Sequence, residues 1–322
     1  MSLLEIENLA VAFGPAEKPL HVIEDVALSI DAHETVALVG ESGSGKSVTA
    51  LAVMRLLQEP GRIVRGALRF EGRDLLQLDE RAMARIRGDR IAMIFQEPMS
   101  SLNPLMSVGA HVAEPLRLHR GLSRRDARAR AIALLDRVGI PSAARRFDDY
   151  PHRMSGGMRQ RVMIAAALAC EPALLIADEP TTALDVTIQA QIMDLLADLQ
   201  SEFGMGILFI THDLGVVAEH AHRVVVMYAG RVVERAQTGT LFDAAAHPYS
   251  AALLRCIPDE GTGDRLAVIE GSVPAPASLP PGCRFEPRCP RAADVCRIAE
   301  PPLALLGPDH AAACVRPLEA ST

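Results

Sequence analysis

The stretch GESGSGKS, at residues 40–47, constrains the fold of this chain more than any other part of the sequence. It fits the pattern G-x-x-x-x-G-K-[ST], follows the apolar run 35–40 and precedes a helical pattern from about Lys46 to Leu57. In that context, glycines let backbone N–H groups approach a phosphate, and the helix N-terminus adds partial positive charge. The stretch therefore predicts a nucleoside triphosphate site; a glycine-rich turn without a ligand is the alternative.

Two side chains of this stretch have the chemistry that a phosphate site needs. Lys46 can reach the β- and γ-phosphates, and the Ser47 hydroxyl can bind Mg²⁺. The residues that we expect to surround the nucleotide phosphates are Gly40, Glu41, Ser42, Gly43, Ser44, Gly45, Lys46, Ser47 and Val48.

The sequence around this stretch has the pattern of an α/β protein. Partial alternation of apolar and polar residues at 4–13 predicts an edge strand. Short continuous apolar runs, typical of strands buried on both faces, alternate with helical patterns and predict a parallel sheet. The further strands are predicted at 26–30, 35–40, 66–72, 90–96, 173–178, 206–211 and 223–230, with helices after Ser155 and near 187–203.

A predicted helical subdomain, from about 97 to 157, interrupts this alternation. Ser123 followed by Asp126 is a capping-box pattern, and Gly139 is placed to end the helix that follows. The chain is therefore predicted to carry a helical insertion within its α/β core.

A second motif, ALLIADEP at 173–180, is an apolar run that ends in two carboxylates. Asp178 is expected to bind Mg²⁺ through its coordination shell, and Glu179 to polarise the attacking water as a general base. Two solvated acids at a strand end are the alternative, which the presence of the phosphate-binding stretch makes less favourable.

A third motif, MSGGMRQR at 154–161, indicates how the protein assembles. Ser155, Gly156 and Gly157 would form a helix N-terminus with accessible N–H groups, a second anion site besides the lysine-containing loop. We therefore expect a head-to-tail dimer, in which the loop of one chain and the SGG stretch of the other bind one nucleotide. A plain helix cap is the alternative.

Together these motifs resemble the ATP-binding subunits of ABC transporters, over about residues 1–240. GESGSGKS is similar to the Walker A motif, LLIADE to Walker B, and MSGGMRQR to the signature motif, with Met154 and Met158 where Leu and Gln are commoner. The resemblance implies roles for further residues. These are Gln96, which would sense Mg²⁺; His212, which would contact the γ-phosphate; Phe13, which would stack on adenine; Met158, in the signature; and Asp185, in a D-loop at 181–185.

Three other stretches resemble the dipeptide/oligopeptide and nickel importer family: 95–116, HPYSAALL at 247–254, and PPGCRFEPRCPRAADVC at 280–296. This resemblance implies a P-loop ABC ATPase core at 1–237 and a small Cys-rich extension at 238–322. The core would contain a mainly parallel sheet, an N-terminal antiparallel β subdomain and the helical insertion. The chain would hydrolyse ATP to power peptide import; nickel or glutathione import is the alternative within the family.

The partners implied are a second ATPase subunit, expected to be a paralogue, two transmembrane permease subunits and, indirectly, an extracytoplasmic binding protein. The sequence has no signal-peptide pattern and no apolar stretch long enough to cross a membrane, so we expect a protein that stays in the cytoplasm. The resemblance implies a peripheral position at the cytoplasmic face of the membrane. A soluble ABC ATPase acting on nucleic acid or ribosomes is the other class. The net charge of −7 argues against nucleic-acid binding.

Four cysteines cluster after the Pro-rich stretch 272–282, with the spacing C-x5-C-x6-C-x17-C. Four thiolates can hold a [4Fe–4S] cluster or a zinc ion, and clustered cysteines in a reducing compartment favour metal over disulfide. The resemblance to the importer family implies the iron–sulfur cluster; zinc, or four reduced packing cysteines, are the alternatives. The predicted ligands are Cys283, Cys289, Cys296 and Cys314, whereas Cys170 and Cys256 are expected to be packing residues.

Overall fold

The computed structural model describes residues 2–96, 101–181, 185–257 and 268–318. The chain divides into two compact units, each built from several segments. Unit 1 comprises Met1–Leu3, Ile30–Glu34 and Leu75–Phe209, and unit 2 comprises Leu4–Ser29, Thr35–Asp74 and Ile210–Thr322.

Unit 2 contains an antiparallel sheet built from the first strands of the chain. Its order is β2-β1-β4-β5, and β1 pairs with β4 from Leu4 opposite Phe70 to Ala12 opposite Arg62, with an irregularity near Ala10. The strands are β1 (Leu4–Phe13), β2 (Leu20–Ile30), β4 (Arg62–Phe70) and β5 (Arg73–Asp74). The predicted strands at 4–13 and 26–30 are both present, although β2 begins six residues earlier than predicted.

A second group of strands in unit 2 supports the phosphate-binding stretch. It has the order β11-β12-β10-β9-β3, in which β3 pairs with β9 in parallel while β9, β10, β12 and β11 pair successively antiparallel. The strands are β3 (Thr35–Val39), β9 (Arg223–Tyr228), β10 (Arg231–Gln237), β11 (Ala304–Gly307) and β12 (His310–Ala312). The helices of unit 2 are α1 (Lys46–Val53), α8 (Leu214–His220), α9 (Thr238–Ala244) and α10 (Pro248–Leu254).

The strands of the core are mixed rather than mainly parallel, which corrects the prediction. Two-residue connections join β9 to β10 and β11 to β12, and such short turns can only join antiparallel neighbours. The sequence analysis missed these three strands because the strand predicted at 223–230 took in the turn before β10 and because the two last strands are short. The domain boundary predicted at 237/238 coincides with the end of β10 and otherwise stays a prediction.

In unit 1, three strands lie in the order β8-β7-β6, and β6 pairs with β7 in parallel from Ile91 opposite Leu174 to Ile94 opposite Ala177. These strands are β6 (Ile91–Ile94), β7 (Leu174–Asp178) and β8 (Gly206–Thr211), of which β8 belongs to unit 1 up to Phe209. Residues 174–178 are all buried, as the continuous apolar run predicted.

The helices of unit 1 include the predicted helical segment. They are α2 (Glu80–Ile86), α3 (Val108–Arg120), α4 (Arg124–Arg137), α5 (Ala143–Arg146), α6 (Gly156–Leu168) and α7 (Val186–Phe203). The Ser123 hydroxyl accepts a hydrogen bond from the Asp126 N–H at 3.2 Å and caps α4, as predicted. A Cβ on Gly109 would lie 2.1 Å from the Phe147 ring, so the absence of a side chain lets that ring pack against α3.

Helix α1 is four residues shorter than predicted, because Arg55 has a φ of 51° and the left-handed conformation does not continue an α-helix. The Pro-rich stretch contains one short 3₁₀ turn, Pro276–Ser278, and two more follow it, Glu286–Arg288 and Asp294–Arg297. Within the described ranges, no helix has both the length and the hydropathy needed to cross a membrane.

Candidate functional site

The phosphate-binding stretch forms a tight loop between β3 and α1, in which three glycines have positive φ: 148° at Gly40, 80° at Gly43 and 103° at Gly45. A Cβ on Gly40 would lie 2.2 Å from the Met227 carbonyl oxygen of β9. Only glycine can therefore occupy that position, since any side chain would collide with the neighbouring backbone.

Lys46 lies over this loop. Its side chain is buried, and Nζ donates hydrogen bonds to the carbonyl oxygens of Gly40, at 2.7 Å, and Glu41, at 3.0 Å. Helix α1 begins after Gly45 with no side-chain cap and no acidic residue in its first turn. The helix N-terminus is therefore open to an anion, with one ammonium group beside it.

His212 and the start of the loop face the same cavity in unit 2. This cavity has a volume of about 350 Å³ and is lined by Gly40, Glu41 and His212 on its polar side. Its apolar lining comes from both the core and the C-terminal region, namely Val39, Leu214, Leu253, Cys256, Val268 and Ile269. The volume is within the range of small-molecule sites, and the structure brings His212 and the loop together.

The predicted carboxylates lie at the end of β7 in unit 1. Asp178 is buried, with 4% of its surface exposed, and Glu179 follows with a φ of 46°. The Gln96 amide donates a hydrogen bond to a Glu179 carboxylate oxygen at 2.9 Å. Gln96 and Glu179 were predicted from separate motifs, and the structure brings them into contact. The left-handed backbone of Glu179 is strained for a residue with a side chain, a feature that clusters at functional sites.

The SGG stretch begins α6, as predicted. The Ser155 hydroxyl accepts a hydrogen bond from the Met158 N–H at 3.3 Å, and a Cβ on Gly156 would meet no heavy atom within 4 Å. Ser155 and Gly156 are exposed, so this helix end is accessible to an approaching group.

Two remaining predicted residues have structural contacts of their own. Phe13 ends β1, and its ring lies 2.7 Å from where a Cβ on Gly61 would be. Asp185 caps α7, since its carboxylate accepts a hydrogen bond from the Ile188 N–H at 2.9 Å. Most of the predicted D-loop, residues 182–184, lies outside the described residues.

The HPY motif has a contact with the loop that the sequence analysis did not predict. His247 is 1% exposed, caps α10 by accepting a hydrogen bond from the Tyr249 N–H at 3.0 Å, and burial lowers its pKa to about 4. Pro248 is the first residue of the helix, and the Tyr249 hydroxyl accepts a hydrogen bond from the Glu41 N–H at 2.8 Å. Burial raises the pKa of Tyr249, so this hydroxyl is neutral.

Arg288 is the second residue that sequence reasoning missed. Its guanidinium forms an ion pair with the Glu41 carboxylate at 2.9 Å. No local pattern identifies either contact, because Tyr249 and Arg288 lie 208 and 247 residues after Glu41.

The four clustered cysteines line one small cavity together with His247 and Phe285. Its volume of about 20 Å³ is enough for one water-sized sphere. Burial raises the pKa of the Cys283 thiol to about 12 and also raises the pKa of Cys289 and Cys314. The described residues contain no group of three or more Cys, His, Asp or Glu side chains that converges as ligands of a metal ion do. The structure thus gathers the predicted ligands but does not show a metal centre.

Known proteins with similar sequences resolve the family. The model of the ABC transporter family matches residues 23–182, and the model of the oligopeptide/dipeptide transporter C-terminal region matches residues 233–296. A peptide import ATP-binding protein of Brucella abortus is 54% identical over 98% of this chain and 97% of its own length.

The chain belongs to the ABC transporter ATP-binding family. The oligopeptide transport ATP-binding protein AppD of Bacillus subtilis is 52% identical over 94% of this chain and 93% of that protein. These matches confirm the resemblance on which the motif assignments were based, including that of the C-terminal region.

Solved structures confirm the ABC ATPase fold. A post-hydrolysis dimer of an ATP-binding cassette bound to ADP and Pi has a TM-score of 0.66 and 30% identity, over 73% of this chain and 98% of that one. A subunit of a Clostridium perfringens ABC transporter complex has a TM-score of 0.63 and 28% identity, over 75% of this chain and 90% of that one. The chain is accordingly an ATPase of the ABC type.

Proposed function

We propose that this ATPase powers the import of di- or oligopeptides through an ABC transporter. The observation that carries the proposal is the 54% identity with a peptide import ATP-binding protein over nearly the whole of both chains. That match includes the C-terminal region, whose HPY motif contacts the phosphate-binding loop through Tyr249. Nickel or glutathione import would use the same ATPase chemistry and is the alternative cargo.

In the proposed site, ATP lies against the loop at 40–48, with its phosphates at the N-terminus of α1. Lys46 would exchange its own loop carbonyls for the β- and γ-phosphates, and Ser47, Asp178 and Gln96 are the residues that would hold Mg²⁺. Phe13 stacks on the adenine. The uncapped helix N-terminus and the buried ammonium group support this assignment.

Hydrolysis is assigned to Glu179 as the general base, with His212 contacting the γ-phosphate. The hydrogen bond from Gln96 orients the Glu179 carboxylate, and the strained backbone of Glu179 supports a functional role for it. Bound Mg²⁺ would neutralise charge that develops on the phosphates.

The assembly that we propose is a head-to-tail dimer of ATPase subunits, in which Ser155, Gly156, Gly157 and Met158 of one subunit complete the nucleotide site of the other. The partner is proposed to be a paralogue. A solved relative of this chain is described as dimeric with ADP and Pi bound, which supports dimerisation. Closing such a dimer from mostly open to mostly closed takes about 5.5 kcal/mol of differential binding, which contacts from both subunits to ATP can supply.

This dimer would lie at the cytoplasmic face of the membrane, bound to two permease subunits, with an extracytoplasmic binding protein selecting the cargo. Gln96 and the helical region of unit 1 would transmit closure to the permeases.

The decisive variant is Glu179→Gln, which removes the base but keeps the size and the contact with Gln96. ATP binding should persist, whereas turnover should fall by about 10²- to 10⁴-fold, the usual contribution of a general base. Equilibrium binding of labelled ATP and steady-state phosphate release measure the two quantities. Undiminished phosphate release by this variant would contradict the assignment of Glu179.

The cargo is tested separately, in vesicles that contain the chain with its permeases and binding protein. ATP-dependent uptake of a labelled dipeptide, with no uptake of Ni²⁺ or glutathione, is the expected result. Uptake of either competitor without peptide would replace the proposed cargo and leave the ATPase assignment intact.

We also propose a [4Fe–4S] cluster at the four clustered cysteines. Four thiols around one cavity supply the donor set that such a cluster takes, one thiolate for each iron. Within the described residues, no group of Cys, His, Asp or Glu side chains converges as metal ligands do, which favours neither metal. The cluster is proposed over a zinc ion because of the resemblance of the C-terminal region to the importer family. The bound cluster would cross-link a Pro-rich segment that has little apolar core.

Anaerobic purification, followed by an absorption spectrum and iron, sulfide and zinc analysis, tests this proposal. About four irons and four sulfides per chain are expected, and Cys289→Ser should lose most of them. One zinc per chain would change the chemistry of the site, and absence of both metals would leave four packing cysteines.

A further inference from the structure

Arg288, in the 3₁₀ turn Glu286–Arg288 of the C-terminal region, makes a two-point contact with the phosphate-binding loop. Nη1 donates to Glu41 Oε1 at 2.9 Å and Nη2 donates to Glu41 Oε2 at 3.0 Å. Only 5% of the Arg288 side chain is exposed. A part-buried, bidentate pair of this kind fixes direction as well as distance, because both the guanidinium and the carboxylate are planar.

The other N–H groups of Arg288 are also satisfied. Nε donates to the Glu270 carbonyl oxygen at 2.8 Å, Nη2 to that of Ile269 at 3.1 Å, and Nη1 to the Tyr228 hydroxyl at 3.3 Å. Together with the two bonds to Glu41, all five donors of the guanidinium have an acceptor. The side chain therefore has one orientation, set by the C-terminal region and by the end of β9.

Glu41 is in turn held at two places. Its carboxylate binds Arg288, and its N–H donates to the Tyr249 hydroxyl at 2.8 Å. The carbonyl oxygen of the same residue accepts a hydrogen bond from Lys46 Nζ at 3.0 Å. The position of Glu41 is thereby linked to the position of the ammonium group at the proposed phosphate site.

The charge of Glu41 also needs compensation. A carboxylate one residue after Gly40 lies in the loop that we propose to receive a triphosphate, and like charges at short distance repel each other. Arg288 supplies the opposite charge at hydrogen-bond distance.

We infer that Arg288 is a positioning residue of the nucleotide site. By pairing with Glu41, it fixes the shape of the phosphate-binding loop and neutralises its one carboxylate, so that the C-terminal region sets the affinity for ATP. This inference rests on the proposed ATP site at residues 40–48, and it assigns to the C-terminal region an effect on nucleotide binding within the same chain.

The test compares Arg288→Gln, Glu41→Gln and the double variant by equilibrium titration of ATP and ADP and by steady-state kinetics. Removing one member of a coupled network commonly changes binding by up to about 30-fold, so we expect Arg288→Gln to raise the Kd and KM for ATP about tenfold with little change in kcat. The increase in the Kd for ADP should be smaller, since ADP carries less negative charge than ATP. Glu41→Gln removes the repulsive carboxylate but leaves the Arg288 guanidinium without its counter-ion, so we expect a lower thermal unfolding temperature, and its Kd for ATP is the reference for the double variant.

The double variant separates positioning from a structural role. Because Glu41→Gln removes the unpaired carboxylate, it should return the Kd of Arg288→Gln to within about threefold of the Kd of Glu41→Gln alone. Arg288→Lys keeps the charge but loses the planar guanidinium and its bidentate hydrogen bonds, so it should give an intermediate Kd. It also serves as the test variant if Arg288→Gln does not fold.

Arg284→Gln is the matched control. Arg284 is buried to the same degree in the same segment and pairs with Glu24 and Glu300, but its described contacts do not include the loop. It should lower the thermal unfolding temperature without raising the Kd for ATP.

Two outcomes would overturn the inference. The first is an unchanged Kd in both Arg288 variants; the second is a double variant as weak as Arg288→Gln alone. In both outcomes the native protein still binds and hydrolyses ATP, so the proposed function would stand. Native protein that neither binds nor hydrolyses ATP would instead contradict the proposed function.

Discussion

Two helix N-termini in this chain are candidate anion sites, and they differ in how they are stabilised. Helix α6 is capped by its own sequence, since the Ser155 hydroxyl bonds the Met158 N–H. Helix α1 has no side-chain cap at Gly45, and its loop is held from outside, by Tyr249 and Arg288.

The difference follows from the glycines of the loop. A loop with three positive-φ glycines has few side chains of its own, so its conformation has to be fixed by neighbours. The N-terminus of α6 needs only one hydroxyl, and Ser155 supplies it. The difference fits the proposal that α1 is the primary phosphate site, shaped by its surroundings, and that α6 offers a preformed surface to a nucleotide bound by another subunit.

Lys46→Ala should have the largest effect on binding. It removes charge-assisted hydrogen bonds to phosphate, worth about 1.5–3 kcal/mol, and should raise the Kd for ATP about 10- to 100-fold. Isothermal titration calorimetry measures this change in Kd. The chain has only two lysines, so Lys18→Ala, at an exposed position, is the natural control and should bind ATP as the native protein does. Equal affinity in the two variants would show that α1 is not the primary site.

Ser155→Ala should lower ATP turnover more than it weakens the binding of ATP by one subunit, the reverse of what we expect for Lys46→Ala. Loss of the cap costs about 1 kcal/mol of stability, while the Kd of one subunit for ATP should change less than about twofold, because α6 acts on the nucleotide of the partner. ATP turnover in the dimer should fall about tenfold, the effect of losing one hydrogen bond to a charged group.

Ser123→Ala is the control for this prediction, since Ser123 caps α4 with similar geometry. It should lose the same stability and retain turnover. A Ser155 variant that turns over ATP normally would reduce the SGG stretch to a helix cap.

Tyr249→Phe should have the smallest effect. It leaves the Glu41 N–H without its acceptor but keeps the ring, so a loss of about 0.5–1.5 kcal/mol, or about threefold in the Kd for ATP, is expected. Competition against a fluorescent nucleotide can resolve this change. Tyr150→Phe, at a partly exposed tyrosine of unit 1, is the control. No difference between the two variants would show that the Tyr249 hydroxyl does not help to hold Glu41.

Most of the elements could be predicted from the sequence, because their signals are local. The apolar run before Asp178, the capping residues Ser123 and Ser155, and the loop at 40–47 each depend on residues within one or two turns. The mixed character of the strands was missed because β11 and β12 are short and lie among prolines and cysteines. The cysteines were predicted to gather, and they do line one cavity, but the spacing of their thiols depends on packing.

The sequence by itself determined where the charged residues, the flexible glycines and the helix-capping residues lie. These residues were enough to identify an ATP-binding subunit of the ABC type. Only the tertiary structure decided what holds the phosphate-binding loop. The contacts of Glu41 with Tyr249 and Arg288 span 208 and 247 residues. A pairing over such a distance leaves no periodicity in the sequence. It exists only because β9, α10 and the turn at Arg288 lie beside the loop once unit 2 has folded.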